Sequence, residues 1–284
     1  MAQTIDVLAS ILNLSRRTAV VDVGANPIDG DPPYKAMLSK GLCDVIGFEP
    51  QLDALEKLKE KKGPRERYLP YAVGDGQTHT LHICQTSGMT SLLEPDPRGL
   101  DLFPEFQTWG TVKHKQQVST VRFDEISEIE RVDLLKIDVQ GAELSVFKSG
   151  RKKLAGAVAI HSEVSFIPLY KNQPTFGEVD VELRDMGFIP HTFAALNRRM
   201  ILPLQASSPF GYINQILEAD IVYVRDFRDM ARMSNDQLGH LAMIAHHIYR
   251  SFDLAIRCLV QIADRGVIQG ADVHKYTRSI GSDA

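Results

Sequence analysis

The chain reads as an α/β protein built on a doubly wound parallel sheet. Three observations carry that reading. Ala19–Val23 is a short apolar run rich in β-branched residues and closed by Gly24, the trace of a strand buried on both faces. From there to Gly76 apolar runs alternate with helical patterns in the order β-α-β-α-β. Further on, Val132–Asp138 is a second strong buried run that passes directly into a helix.

Residues 3–14 form an amphipathic helix that packs on the domain. Strand one covers about 19–24. Pro27–Pro33 is a turn-rich loop holding three prolines and two aspartates, so helix resumes only at Tyr34–Ser39. Strand two, about 44–48, ends in Glu49-Pro50. Leu52–Lys62 is a charged helix with Leu52, Leu55 and Leu58 on one face. Arg67–Val73 reads as strand three, stopped by the turn Gly74-Asp75-Gly76. Thr78–Cys84 and Lys115–Phe123 alternate polar and apolar residues, and a proline-rich loop joins them. This makes 78–126 a β insertion with a long loop over the cleft.

The parallel pattern then resumes with Val132–Asp138 and the helix Leu144–Ser149, which Gly150 stops. Ala157–Val164, the helix Phe176–Met186 and two last strands, Phe188–Ala194 and Ala219–Val224, complete the unit. The sequence thus divides into a sheet domain at 1–226 and a helical extension at 227–284. Asn235–Asp264 reads as one long helix, capped by Ser234 or Asn235, whose apolar spacing seeks a partner helix. A homodimer through that helix follows as an expectation. The tail from Ala271 is polar and expected to be loosely held.

Bulk properties exclude several classes. The net charge of -4 leaves no basic footprint for nucleic acid. Cys43, Cys84 and Cys258 are isolated and odd in number, which suits a reducing cytoplasm rather than a disulfide or zinc framework. The apolar stretch Asp6–Leu14 lacks the basic flank of a signal peptide and is too short to span a bilayer, as is every later stretch.

The chemistry concentrates at strand ends. Gly24 lets a ligand approach the backbone, with Asp22 and Asn26 as polar contacts, although a plain β–α turn leaves the same trace. Glu49, just past strand two, stands where a carboxylate grips both hydroxyls of a ribose. The complete G-x-G-x-x-G pattern is missing. An adenosine-containing cofactor without a pyrophosphate therefore suits the site better than a nicotinamide dinucleotide, whose dehydrogenase is the runner-up among enzymes. Lys136 and Asp138 alternate with Ile137, so both charges leave one face of an apolar strand. Burying them there is costly unless they are paired and used. His161 and Glu163 share a strand face in the same way.

Together, Val21–Asn26, Gly47–Pro50, Ala72–Asp75, Met89–Leu92, Phe123–Glu125 and Leu134–Glu143 resemble, in order, the motifs of the FkbM family of S-adenosylmethionine-dependent methyltransferases. The resemblance spans about Thr18–Phe193. It implies a class I methyltransferase (Rossmann-like) sheet, seven-stranded with an antiparallel last strand and helices on both faces. It also implies S-adenosyl-L-methionine as cofactor and O-methylation of a hydroxyl on a sugar, glycan or natural product. By position, Asp22, Gly24 and Asn26 would line the methionine end and Glu49 the ribose. Ala72, Val73, Asp75 and Ser91 would lie on the adenine side, and Asp138 near the transferred methyl. The stretch Pro27–Pro33 departs from the family's shorter link, which leaves the contacts of Asp29, Gly30 and Asp31 unassigned.

A hydroxyl acceptor needs its proton removed near the transition state. Asp138, His161 and Glu163 are the candidates. The plain alternatives are a satisfied half-buried histidine for His161 and an ion pair with Lys136 or Arg199 for Glu163. Tyr34, Met89, Thr90, Trp109 and Tyr170 are acceptor-side candidates or else loop anchors. No metal-ligand set is visible. The contrasting class is a non-catalytic cofactor-binding or interaction protein that works through the C-terminal helix.

Overall fold

A computed structural model describes residues 6–26 and 30–281. The first residues of the expected N-terminal helix, Pro27–Asp29 and the last three residues lie outside them. In chain order, α1 (Val7–Leu12), β1 (Thr18–Val23), α2 (Lys35–Ser39), β2 (Cys43–Phe48), α3 (Leu52–Lys61), β3 (Glu66–Leu69) and β4 (Ala72–Gly74) come first. The insertion holds β5 (Thr78–Cys84), α4 (Pro97–Leu100), α5 (Phe106–Trp109) and β6 (Val112–Arg122). Then follow β7 (Leu134–Ile137), α6 (Glu143–Ser149), α7 (Arg151–Leu154), β8 (Ala159–Ser165), α8 (Phe176–Asp185), β9 (Phe188–Arg199) and β10 (Gln215–Arg225). The chain closes with α9 (Asn235–His247), α10 (Phe252–Asp264) and α11 (Gly270–Ile280).

Seven strands form one sheet in the order β3-β2-β1-β7-β8-β10-β9. All are parallel from β3 to β8, and β10 runs antiparallel to both its neighbours. This is the class I methyltransferase sheet expected from the sequence. Alternation along β1 sends Val20 to one face and Val21 and Val23 to the other. On the second face α6 and α8 cover the sheet through Val146, Phe147, Val179 and Leu183. The first face is covered by α1, α2 and the three C-terminal helices, with Leu8, Met37, Leu241, Ile244, Leu259 and Tyr276 in the core.

Three expectations are corrected. The run Arg67–Val73 is two strands, because Pro70 has no N–H to donate to a ladder. β3 stays in the main sheet, while β4 pairs in parallel with β6 in a second, three-stranded sheet. The long C-terminal helix is two helices broken at Arg250, whose φ of 54° is left-handed. No glycine or proline marks that break, and the apolar spacing runs on across it. The tail is the helix α11, anchored by Tyr276, whose hydroxyl lies 2.8 Å from His246 Nδ1. The partner sought by the apolar stripe is therefore inside the chain, where α9, α10 and α11 pack on each other and on the sheet. The expected dimerisation face is thus occupied within the chain.

In the insertion β5 pairs antiparallel with β6. Its long loop has a core of its own, in which Leu100, Phe103 and Phe106 pack with Leu169, Tyr170 and Leu217. Among the described residues no helix is long and apolar enough to cross a membrane.

Candidate functional site

A cleft opens at the C-terminal ends of β1, β2 and β7, under the insertion. Ligands collect there in open α/β sheets. Its floor is Val23, Gly24 and Asn26 after β1, Phe48 and Glu49 after β2, and Asp138–Gln140 after β7. The apolar end is built by Tyr71, Ala72, Val73, Leu81, Val118 and Leu92. Tyr71 stacks on Phe48 with ring centroids 6.0 Å apart. That end is a slot suited to a flat heterocycle.

Gly24 is required by geometry. Its φ is +80°, and a Cβ there would sit 1.9 Å from the carbonyl oxygen of Asp138. The close approach arises because the Asp138 N–H donates to Val23 O at 3.0 Å, extending the β1–β7 ladder past the strand end. Glu49 is only 3% exposed. Its Oε1 accepts the Gln51 N–H at 2.7 Å. Burial, with Asp22 nearby, raises its pKa, while the Gln51 N–H and Lys136 oppose the rise. Ser91 Oγ donates to Gln140 O at 2.7 Å and accepts the Leu93 N–H at 3.0 Å. That hydroxyl fastens the insertion over the cleft.

Asp22 lies beneath the floor rather than on it. Its Oδ2 accepts the Tyr34 hydroxyl at 2.5 Å, and its Oδ1 is 3.5 Å from Lys136 Nζ. Lys136 also donates to Gly24 O at 3.4 Å, so this buried pair braces the floor. Tyr34 is thus a structural partner of Asp22. Asp75 is corrected too. Its Oδ1 is bound by Gln77 N at 2.9 Å, His79 Nε2 at 2.8 Å and Thr120 Oγ1 at 3.2 Å. It lines a neighbouring cavity with Arg122 and Lys148, because β4 leaves the main sheet to pair with β6 and carries the turn away from the cleft.

Asp138 and Glu163 come together as their strand positions imply. Gln140 Nε2 donates to Asp138 Oδ1 at 2.8 Å and to Glu163 Oε2 at 3.1 Å. Glu163 forms no ion pair with Lys136 or Arg199 among the described residues. Burial first, then the carboxylates of Asp138, Glu218, Glu143 and Asp220, holds it well above the ordinary carboxylate range. Glu143 is fully buried and pushed up to about 7, although the Val139 and Gly141 N–H groups bind its Oε1 at 2.9 and 3.2 Å. The oxygens of Asp138, Glu143 and Glu163 lie within 4.8 Å of one another, close enough to face one cation. Here the Gln140 amide sits against two of them and backbone N–H groups against the third.

His161 is placed apart from these carboxylates. It is level with Lys136 across the β7–β8 ladder, one strand step below Glu163. Its Nδ1 is 3.2 Å from the Tyr249 hydroxyl and its Nε2 3.9 Å from Asp220, and it does not line the cleft. Of the acceptor-side candidates, Thr90 lines the cleft. Met89 and Tyr170 are buried anchors, and Trp109 stacks between Phe106 and Phe210. The sequence reading passed over Gln140, Glu218 and Asp220. The signal for the last two was two carboxylates alternating in an apolar strand.

Fold and cleft together define a class I methyltransferase-type protein. The family is also shown by sequence. The methyltransferase FkbM domain matches residues 22–190, and the chain belongs to that family. The 2-O-methyltransferase NoeI of Sinorhizobium fredii (strain NBRC 101917 / NGR234) is 29% identical over 164 residues. The match covers 54% of this chain and 66% of the relative, just under two thirds of its length. Among solved structures, the magnesium protoporphyrin IX methyltransferase of Synechocystis PCC 6803 with bound SAM is 10% identical at a TM-score of 0.39, covering 78% of this chain and 76% of that one. The precorrin-6y C5,15-methyltransferase of Geobacter metallireducens GS-15 is 10% identical at a TM-score of 0.36, covering 77% and 86%.

Proposed function

We propose that this chain uses S-adenosyl-L-methionine to O-methylate a hydroxyl of a sugar, glycan or natural product. The observation that carries the reading is one continuous cleft running from the buried Glu49 to Asp138 and closed on its apolar side by the insertion. The residues present fit the cofactor. Glu49 would accept from the ribose hydroxyls, the Tyr71–Val118 slot would take the adenine, and Gly24 and Asn26 would flank the amino-acid end. Bound there, the cofactor supplies an electrophilic methyl on a sulfonium.

The protein's work is alignment and proton removal. Placing the acceptor oxygen in line with the methyl supplies much of the rate. The floor that does so is rigid, because the buried Asp22–Lys136 pair and the Gly24 contact hold it. With the cofactor bound, the acceptor hydroxyl would stand between the methyl and Asp138, whose carboxylate would take its proton. Glu163 stands beside Asp138 as the second acid. His161 supports the acceptor wall through Tyr249 and Asp220. The buried free cysteines suit a reducing cytoplasm. A hydroxyl acceptor accords with the relative's description as a 2-O-methyltransferase.

The non-catalytic alternative is not favoured. The apolar faces of its C-terminal helices are consumed in the core, and the cleft ends at paired carboxylates. Calorimetric titration with the cofactor tests the reading, followed by transfer of labelled methyl to a panel of methyl glycosides. Binding in the natural protein that collapses in Glu49→Ala supports it. No binding at millimolar cofactor, with or without the glycosides, overturns it.

A further inference from the structure

The methyl-transfer reading gives Gln140 no task, yet its geometry is specific. Its backbone is left-handed at φ 53°, and Gly141 follows at φ 99°. A long side chain is disfavoured there, and glycine would relieve it. Such conformations persist where surrounding contacts over-determine them. Four contacts do so here. The Gln140 carbonyl accepts the Ser91 hydroxyl at 2.7 Å. Nε2 donates to Asp138 Oδ1 at 2.8 Å and to Glu163 Oε2 at 3.1 Å. The Tyr170 hydroxyl lies 3.3 Å from Oε1. Its amide N–H groups thus face the Asp138 and Glu163 oxygens, and its oxygen faces the Tyr170 hydroxyl.

We propose that Gln140 is the positioning residue of this site: its side-chain amide clamps Asp138 and Glu163 at the methyl end of the cleft and aims Asp138 at the acceptor hydroxyl. The proposal rests on the methyl-transfer reading above. In the transfer step Gln140 gives up and takes up nothing. It sets where the receiving carboxylate stands. N–H donors favour the charged form of the carboxylates they touch.

The surroundings press the other way. Glu143, Glu218 and Asp220 all face Glu163 and favour its neutral form. The cations nearby are committed around the rim: Lys136 lies against Asp22, Arg199 acts on Glu218, and His161 faces Tyr249 and Asp220. Among the described residues, Gln140 Nε2 is the donor that reaches both Asp138 and Glu163. Without it Glu163 would stay neutral to higher pH.

Two cofactor analogues read this state without an acceptor. Sinefungin carries an amine where the cofactor carries its methyl-bearing sulfonium, and S-adenosylhomocysteine carries a neutral thioether. Their affinity ratio, measured by calorimetry between about pH 5 and 8, rises as the carboxylates under the amine ionise. In Gln140→Leu the midpoint of that rise moves up by about one pH unit. S-adenosylhomocysteine affinity stays within about threefold, because the Gln140 carbonyl still binds Ser91. Gln140→Gly keeps the left-handed turn without the side chain, and gives the same shift should the leucine variant not fold. An unmoved midpoint, or equal loss of both analogues, overturns the assignment. Failure of the natural protein to bind either analogue overturns the methyl-transfer reading instead, and the proposal with it.

Discussion

Replacing Glu49 by glutamine tests the proposed ribose contact. The side chain is buried and its Oε1 already accepts the Gln51 N–H at 2.7 Å. Glutamine keeps the shape and that bond. It turns the other oxygen into an N–H donor, so one charge-assisted bond to the ribose is lost. Hydrogen bonds to charged groups contribute about 1.5–3 kcal/mol. At about 1.4 kcal/mol per factor of ten, cofactor affinity should fall about 10- to 100-fold. The free protein should not lose stability. Burial and the neighbouring Asp22 already press Glu49 toward its neutral form, so removing the charge relieves the floor. Calorimetry with S-adenosylhomocysteine reads the affinity, and scanning fluorimetry reads the melting temperature. In the natural protein the affinity should also weaken as pH falls through the raised pKa of Glu49. A variant that binds within about twofold of the natural protein would refute the assignment. So would a drop in melting temperature that accounts for the lost binding.

Other consequences follow from the same geometry. Gly24→Ala forces a Cβ against the Asp138 carbonyl in a left-handed turn, so cofactor affinity should drop by more than about 100-fold while the far-UV spectrum is kept; titration checks it. For Glu163, the folded-state pKa is raised above 4.5. The folded state therefore holds a proton that the unfolded state releases, and stability declines as pH rises from the unfolded to the folded value. Glu163→Gln escapes that decline, so its melting temperature relative to the natural protein should rise between about pH 5 and 8; an unchanged difference would count against a neutral buried Glu163. Truncation before Phe227 removes Leu238, Leu241, Ile244, Leu254, Leu259 and Ile262 from the core. At about 2 kcal/mol each this is comparable with the whole stability of a typical domain, so the product should be insoluble or unfolded by circular dichroism.

The cleft was largely legible from sequence because its residues sit at strand ends, where local pattern and function coincide. Gly24, Glu49 and Asp138, read from strand ends, and Ala72, Val73 and Ser91, placed by the family resemblance, all line the cleft. Asp75 did not, since a turn triplet says nothing about which sheet its strand joins. Tyr34 and His161 were named as site candidates, yet their partners are Asp22 and Tyr249, far away in the chain. The break at Arg250 left little local trace, because no glycine or proline marks it and the apolar spacing continues across it.

By itself, then, the sequence determined the alternation of strands and helices in the doubly wound half, strand ends that line the cleft, and the family. These depend on period, punctuation and short motifs, which are properties of neighbouring residues. Only the tertiary structure decided that the C-terminal helices complete the core, that Asp75 turns away, and that Gln140 joins Asp138 to Glu163. Each of these is a contact between distant segments, set by packing and by the need of buried polar groups for partners.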